Sequence, residues 1–399
     1  MKKIVNNIND FVNKYKTIII FVLSFPHIFH ISFPNGDISL VEFLISRLRL
    51  LSFLVIVILY LINSKRPSKL MIVSIAYCVV ILLTTLINYR SNMNNAILFS
   101  SSFMGLGLLI DYFKDDLIIL IKTIMLCLEI QIYPNLYTVI IFGKITNIIS
   151  GYNLNHFFLG TANDMILYLL PAFFLAVLYI KYIKVSLRPI LLILAVITTV
   201  MLSDSFATMI SLLMFIVFFF YCLIIKKNNI KYPYILLAIP IIILIVVSIP
   251  YLFFGKNPLM QFVLDNIYYN HSFECRVCIW SDALKYILEK PFFGHGYYYN
   301  NYCMIGNEND IYNLAHNTVI QILLNYGIIG LLTFSLYIFV IIKKIAKLNN
   351  SFYKSFFISI VSSIFIVFVS QDYHRFFEFQ IVFLIINNFE NFALTKNSK

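Results

Sequence analysis

Long apolar runs alternate with short polar connections along most of this chain, and one polar stretch, Gly255 to Ala315, is far longer than the others. Runs of roughly 17 to 25 residues match a hydrocarbon layer of ~30 Å at ~1.5 Å rise per residue. Ile, Leu and Phe follow one another without the every-second-residue alternation of a barrel strand, so the pattern predicts α-helices. Twelve such spans are predicted: Thr17–Phe33, Ser39–Ile62, Leu70–Asn88, Ala96–Ile110, Leu117–Phe142, Met165–Ile180, Pro189–Leu202, Ala207–Ile225, Pro233–Phe254, His316–Ile342, Phe356–Ser370 and Phe376–Phe392. The shortest of them also suit half-spans or re-entrant pieces. Tyr133-Pro134-Asn135 interrupts the fifth and is a place for a kink.

Composition agrees. With 61% hydrophobic residues, 12% charged residues and a mean hydropathy of +0.87, a chain of 399 residues cannot hide its apolar side chains in a water-soluble core. The fold class predicted is an all-α integral membrane protein of about 12 transmembrane helices, one polytopic domain over 1–399 containing a large loop over 255–315.

Charge orients these helices. With the amino terminus placed in the cytoplasm, 20 basic residues fall on inner segments and 7 on outer ones, leaving Arg47, Arg49 and Lys122 within spans. That asymmetry is the positive-inside pattern, and it predicts both termini inside and the long loop outside. The net charge of +12 then reports orientation and anionic inner-leaflet lipid. It does not point to nucleic acid, since no basic cluster is interleaved with aromatics on a polar face. Met1–Lys16 is too polar for a signal peptide, so the first span is expected to remain in the mature protein as a start-transfer helix. Abundant Ile, Asn, Lys, Phe and Tyr suggest an AT-rich bacterial genome.

Cys78, Cys127 and Cys222 fall in spans and read as small packing residues. Cys275, Cys278 and Cys303 fall in the outer loop, where Cys-x-x-Cys beside His271 or His295 is the start of a zinc pattern without its second pair. No metal is predicted.

A loop of this length in a compact domain is functional or disordered. Within it, Val277, Trp280, Leu284 and Ile287 recur at helical spacing, which predicts a short surface-lying helix stopped by Pro291 and Gly294. Tyr297, Tyr298 and Tyr299 follow, and with Trp280 they suit either stacking on sugar faces or an interfacial aromatic belt. His316 has two readings as well. It is a histidine at the headgroup interface, or a proton-transfer group whose unperturbed pKa is about 6.5. Asn317 and Thr318 make the point of re-entry polar, and Gly327 and Gly330 allow close approach of another helix or space for a ligand. Arg47 and Arg49 stand about ten residues into the second span, where they snorkel, pair with Glu42 or meet a ligand phosphate. Arg375, in the last outer turn, is either an interfacial anchor or a second phosphate clamp.

Arg276-Val277-Cys278-Ile279-Trp280, Pro291-Phe292-Phe293-Gly294-His295-Gly296 and Ala315-His316-Asn317, followed by Gly327 and Gly330, resemble the signature region of the bacterial O-antigen ligase and Wzy-type polysaccharide polymerase superfamily. Gly160-Thr161-Ala162-Asn163-Asp164 and Ser203-Asp204-Ser205 are weaker echoes, and the arginine often found soon after the latter is replaced by Phe206, Ala207 and Thr208. The resemblance implies a GT-C-like helical architecture and transfer of a glycan from undecaprenyl diphosphate to an acceptor glycan, on the outer face of the bacterial cytoplasmic membrane. It implies catalytic roles for His316 and Arg276, the arginine holding the diphosphate and the histidine handling the attacking hydroxyl as base or hydrogen-bond partner. Asn317, Trp280, Tyr298, Arg47, Arg49, Arg375, Asn163 and Ser205 are the candidate substrate-binding residues. No cofactor is expected, and the implied partners are membrane lipid, a flippase and chain-length regulators. No Asp-x-Asp pair in a soluble nucleotide-binding domain and no phosphate-binding glycine loop is present, so a nucleotide sugar is not the expected donor. A polymerase is favoured because AT-rich composition is common in Gram-positive bacteria that lack lipid A. An O-antigen ligase acting on lipid A core is the alternative, and a lipid-linked oligosaccharide flippase is the alternative of another class.

Overall fold

The computed structural model describes residues 2–30, 39–63, 65–88, 93–142, 145–149, 152–203, 205–224, 279–280, 283–297, 315–372 and 377–397. Arg276, Tyr298, Arg375, the loop cysteines and the predicted span Pro233–Phe254 lie outside these residues. The helices are α1 (Lys2–Lys14), α2 (Lys16–Ile28), α3 (Ser39–Asn63), α4 (Lys69–Ile87), α5 (Met93–Tyr112), α6 (Leu117–Phe142), α7 (Ile166–Tyr182), α8 (Leu187–Leu202), α9 (Phe206–Ile224), α10 (Thr318–Ala346), α11 (Ser351–Ser370) and α12 (Phe379–Asn397). Five stretches among the described residues are long and apolar enough to cross a membrane, Leu40–Asn63, Lys69–Ile87, Met93–Tyr112, Lys114–Ile141 and Thr318–Ala346, and shorter apolar helices accompany them. This is a multi-pass membrane protein.

Two departures from the apolar pattern have local causes. The first predicted span ends as a helix at Ile28, with Pro26 in its last turn and the Phe29 N–H closing on the Phe25 carbonyl. Between α6 and α7 the chain forms a small antiparallel sheet, β1 (Ile145–Ile149), β2 (Tyr152–Phe157) and β3 (Gly160–Thr161), with Ile145 opposite His156 and Phe157 opposite Gly160. The all-α expectation missed it because these strands are short and interleave Thr and Asn with Ile, which reads as loop when spans are being sought. Helix α6 continues through Pro134.

The chain divides into two compact units. One comprises Met1–Ile75, Leu98–Leu212 and Phe376–Lys399, and the other Ala76–Ile97 and Leu213–Arg375. In the first, α7 is buried along most of its length and packs against α6, α8 and α12, while α2 packs on α3 and α6. Arg188 clasps Glu129 through two nitrogens at 2.7 to 2.9 Å, so α8 and α6 are joined by a bidentate ion pair. In the second, α10 pairs with α11, and Phe215 and Phe219 of α9 meet Phe352 and Phe356 of α11 edge-on.

Candidate functional site at a broken helix

Helix α10 does not run straight through. Gly327 has φ 64° and ψ −162°, a conformation open to glycine and almost nothing else, so the intrahelical ladder breaks there. Broken backbone in an apolar environment must find partners elsewhere in the protein. The loop Pro291–Gly296 supplies them. The His295 and Gly296 N–H groups donate to the Leu324 and Asn325 carbonyls at 2.9 and 2.7 Å, while the Ile328 and Ile329 N–H groups donate to the Pro291 and Phe292 carbonyls at 2.8 and 3.3 Å. Contact is backbone against backbone in both directions. A Cβ on Gly327 would lie 2.4 Å from the Phe292 carbonyl carbon, and one on Gly294, also at positive φ, 2.4 Å from the Asn325 carbonyl carbon.

The end of α4 closes this loop from the other side. Asn88 donates to the Gly294 carbonyl at 3.0 Å and accepts from Lys290 at 2.7 Å, and Thr85 accepts from the Tyr297 N–H at 3.0 Å. His295 is buried, with Nε2 2.9 Å from the Tyr286 carbonyl, so that nitrogen carries the hydrogen and donates. Burial holds its pKa below the ordinary value. An imidazole that is harder to protonate in the folded state contributes stability above its unfolded pKa of about 6.5 and loses it as pH falls below that value. The thermal midpoint in detergent is therefore expected to fall between pH 7 and pH 5.5, and to fall less in His295→Gln. An equal decline in both would show that another group controls acid stability.

Upstream, the loop helix predicted around Trp280 is present, with residues 283–289 helical. Trp280, Ala283 and Ile287 are buried with Ala315, Ile320 and Leu324, and Leu284 packs against them. The Trp280 indole N–H donates to the Ala315 carbonyl at 2.7 Å, and the Ala315 N–H donates to Gln321 Oε1 at 2.7 Å. The peptide before His316 is thus gripped on both sides. Trp280 is 3% exposed and serves this packing in the structure, with its ring in the apolar cluster.

His316 itself precedes α10 and has φ 47°, the one positive φ at a non-glycine among the described residues. Such a conformation is uncommon for histidine and is held only where the surroundings over-determine it. Here they do so from the Ala315 side and from Asn317, the N-cap, whose Oδ1 accepts from the Val319 and Ile320 N–H groups at 3.0 and 3.2 Å. His316 Nδ1 lies 2.9 Å from Gln371 Oε1 at the end of α11, and Thr318 donates to the Gln371 carbonyl at 2.9 Å. Because Gln371 Oε1 can only accept, this contact places a hydrogen on Nδ1, and in the neutral ring the lone pair is then on Nε2. In its neutral form the ring held this way accepts a proton at Nε2.

The remaining described candidates lie in the first unit. Asn163 and Ser205, chosen separately from the sequence, meet there, the Ser205 hydroxyl donating to Asn163 Oδ1 at 2.7 Å. Ser205 also accepts from the Thr208 N–H at 3.3 Å and so caps α9. Arg49 points inward and Arg47 outward, as a spacing of two on a helix requires. Arg49 donates to the carbonyls of Pro26 and Phe29 at 2.7 and 3.1 Å, completing the end of α2, and stands over the Phe377 ring at 5.3 Å. Arg47 is exposed over Phe43 at 4.8 Å. A cluster that sequence reading passed over surrounds Arg49, with His30 stacked on Tyr168 and the Tyr168 hydroxyl donating to buried Glu378 at 3.2 Å.

Sequence reading also missed Gln371, Gln321, Asn325, Thr85 and Asn88. Asn317, Gln321 and Asn325 recur every fourth residue in an apolar run, which was a visible signal for a buried polar stripe. Gln371 carried none, since the pairing with His316 spans 55 positions.

Membrane-length helices, one of them broken where a glycine meets a docked polar loop, define a class: a multi-pass membrane protein with irregular backbone buried in protein. The family follows from comparison. Residues 190–335, which include the docked loop, His316 and Gly327, match the O-antigen ligase family. Over 90 residues the chain is 33% identical to a protein of Rickettsia conorii assigned as a polysaccharide ligase, an alignment covering 20% of this chain and 22% of that protein. The chain thus spans about a fifth of that relative's length. Through the matched segment the chain is similar to the bacterial O-antigen ligase and Wzy-type superfamily.

Proposed function

We propose that the protein transfers a glycan from a lipid-diphosphate donor, of the undecaprenyl type, to an acceptor hydroxyl. The observation that carries this reading is the strained His316, which lies inside the family-matched segment and is held at Nδ1 by Gln371 from the end of α11. In the step proposed, the acceptor oxygen bonds to the anomeric carbon and the bond from that carbon to the diphosphate oxygen breaks. The hydroxyl proton passes to His316 Nε2, and the lipid diphosphate leaves with its negative charge. A diphosphate is already a good leaving group, and a guanidinium suits its oxygens by bidentate contact. Arg276 holds that place by resemblance, with Arg375 or exposed Arg47 as further contacts. Carbonyls already occupy two nitrogens of Arg49, which supports a positioning part for it at the end of α2. The proposed orientation has both termini in the cytoplasm and His316 at the outer surface, on the positive-inside pattern.

Polymerase and ligase share this donor chemistry and differ in acceptor. Composition favours the polymerase, while the names carried by the family and by the Rickettsia conorii relative favour ligase transfer. Purified protein in lipid vesicles with a lipid-diphosphate-linked repeat unit is expected to form glycosidic bonds. A ladder from the donor alone supports the polymerase, and a single product on added lipid A core supports the ligase. No bond formation with either acceptor, together with movement of donor across the vesicle, would replace both readings by the flippase.

A further inference from the structure

Gln371 lies outside the family-matched segment and has no titratable atom, yet its side-chain Oε1 lies 2.9 Å from His316 Nδ1. Its own place is determined by its backbone. The Gln371 N–H closes α11 on the Val367 carbonyl at 2.9 Å, and its carbonyl accepts from Thr318 at 2.9 Å. Helix ends of α10 and α11 are therefore tied together through one residue whose side chain reaches the imidazole. Only 8% of Gln371 is exposed, so water does not compete freely for Oε1.

We infer that Gln371 is a positioning residue that selects the Nδ1–H tautomer of His316, so that Nε2 is the proton-accepting nitrogen. The inference rests on the proposed role of His316 as the base. A neutral amide suits the task, because it orients the ring as a carboxylate would without adding a charge that favours imidazolium. Free imidazole populates both tautomers, and only the form with its lone pair on Nε2 can accept at the face turned away from Gln371.

Two variants separate the hydrogen bond from the backbone tie, which both retain. Gln371→Met keeps length and removes the acceptor; Gln371→Glu keeps an acceptor. At pH 8.5, the expected result is a kcat lowered about tenfold in Gln371→Met with KM unchanged, and a kcat within about threefold of the parent in Gln371→Glu. Nitrogen-15 spectra of histidine-labelled protein in nanodiscs, assigned by the loss of one signal in His316→Asn, should show the Nδ1–H form in the parent and in Gln371→Glu, and a mixture in Gln371→Met. Parent-like kcat in Gln371→Met, or an Nε2–H signal in the parent, overturns the inference. If instead the tautomer changes as expected while His316→Asn remains active, the base assignment fails and takes the positioning role in catalysis with it.

Discussion

Gly327→Ala is expected to lower the thermal midpoint steeply and to abolish glycan transfer. The added Cβ would stand 2.4 Å from both the carbon and the oxygen of the Phe292 carbonyl, and those are backbone atoms that cannot rotate away. Alanine at φ 64° with ψ −162° adds strain of about 1 to 3 kcal/mol. Moving the loop breaks up to four interlocking hydrogen bonds worth about 0.5 to 1.5 kcal/mol each, more where the freed groups stay dry. With all four bonds lost the total is about 3 to 9 kcal/mol, a size reached by substitutions with a specific structural cause. Gly294→Ala should behave alike, since its Cβ would strike the Asn325 carbonyl from the opposite side. Trp280 is the chain's single tryptophan and is buried against Ala315, so its emission should shift to the red when the loop undocks. A Gly327→Ala protein with parent midpoint and parent emission would mean that the loop and helix do not interlock as described.

The two glycines also show how far sequence reading reaches. A span that begins at His316 and contains Gly327 and Gly330 was legible from residue types, and so was a loop helix bearing Trp280 and ending before Gly294. Helix limits came through because runs of about twenty predominantly apolar residues admit few other structures: α3, α4, α6 and α9 lie within a residue or two of their predicted limits. What stayed hidden was pairing. That Gly294 docks into the break at Gly327, or that Ser205 finds Asn163, depends on contacts between residues 33 and 42 positions apart. Side chains serving backbone groups were equally silent. Trp280 suits a sugar platform or an aromatic belt in sequence, and Arg49 a lipid-facing, paired or phosphate-binding place, but neither pattern shows the Trp280 N–H on the Ala315 carbonyl or Arg49 on the carbonyls at the end of α2. In lipid those needs are strict, which is why polar residues in apolar runs serve structure as often as chemistry.

His316→Asn is expected to cut kcat for glycan transfer by about 10² to 10⁴, the range a positioned proton-transfer group supplies, while leaving the fold intact. Asparagine is the informative substitution because of the backbone. His316 sits at φ 47°, where alanine would add strain and confuse a folding defect with a chemical one, whereas asparagine tolerates that region well. Its amide can donate to Gln371 Oε1, so the contact to α11 survives, but it has no nitrogen lone pair that accepts a proton near neutral pH. Stability should therefore stay within about 1 kcal/mol of the parent, with unchanged Trp280 emission as the check that Ala315 is still held. If His316 only orients the hydroxyl by a hydrogen bond, the loss should shrink to about tenfold and the acid limb of the parent's pH–rate profile should not belong to this residue. Full activity in His316→Asn would remove the histidine from the chemistry and return it to the interfacial reading. The site would then have to be sought around Arg276, or in the first unit around Arg49, Tyr168 and Glu378.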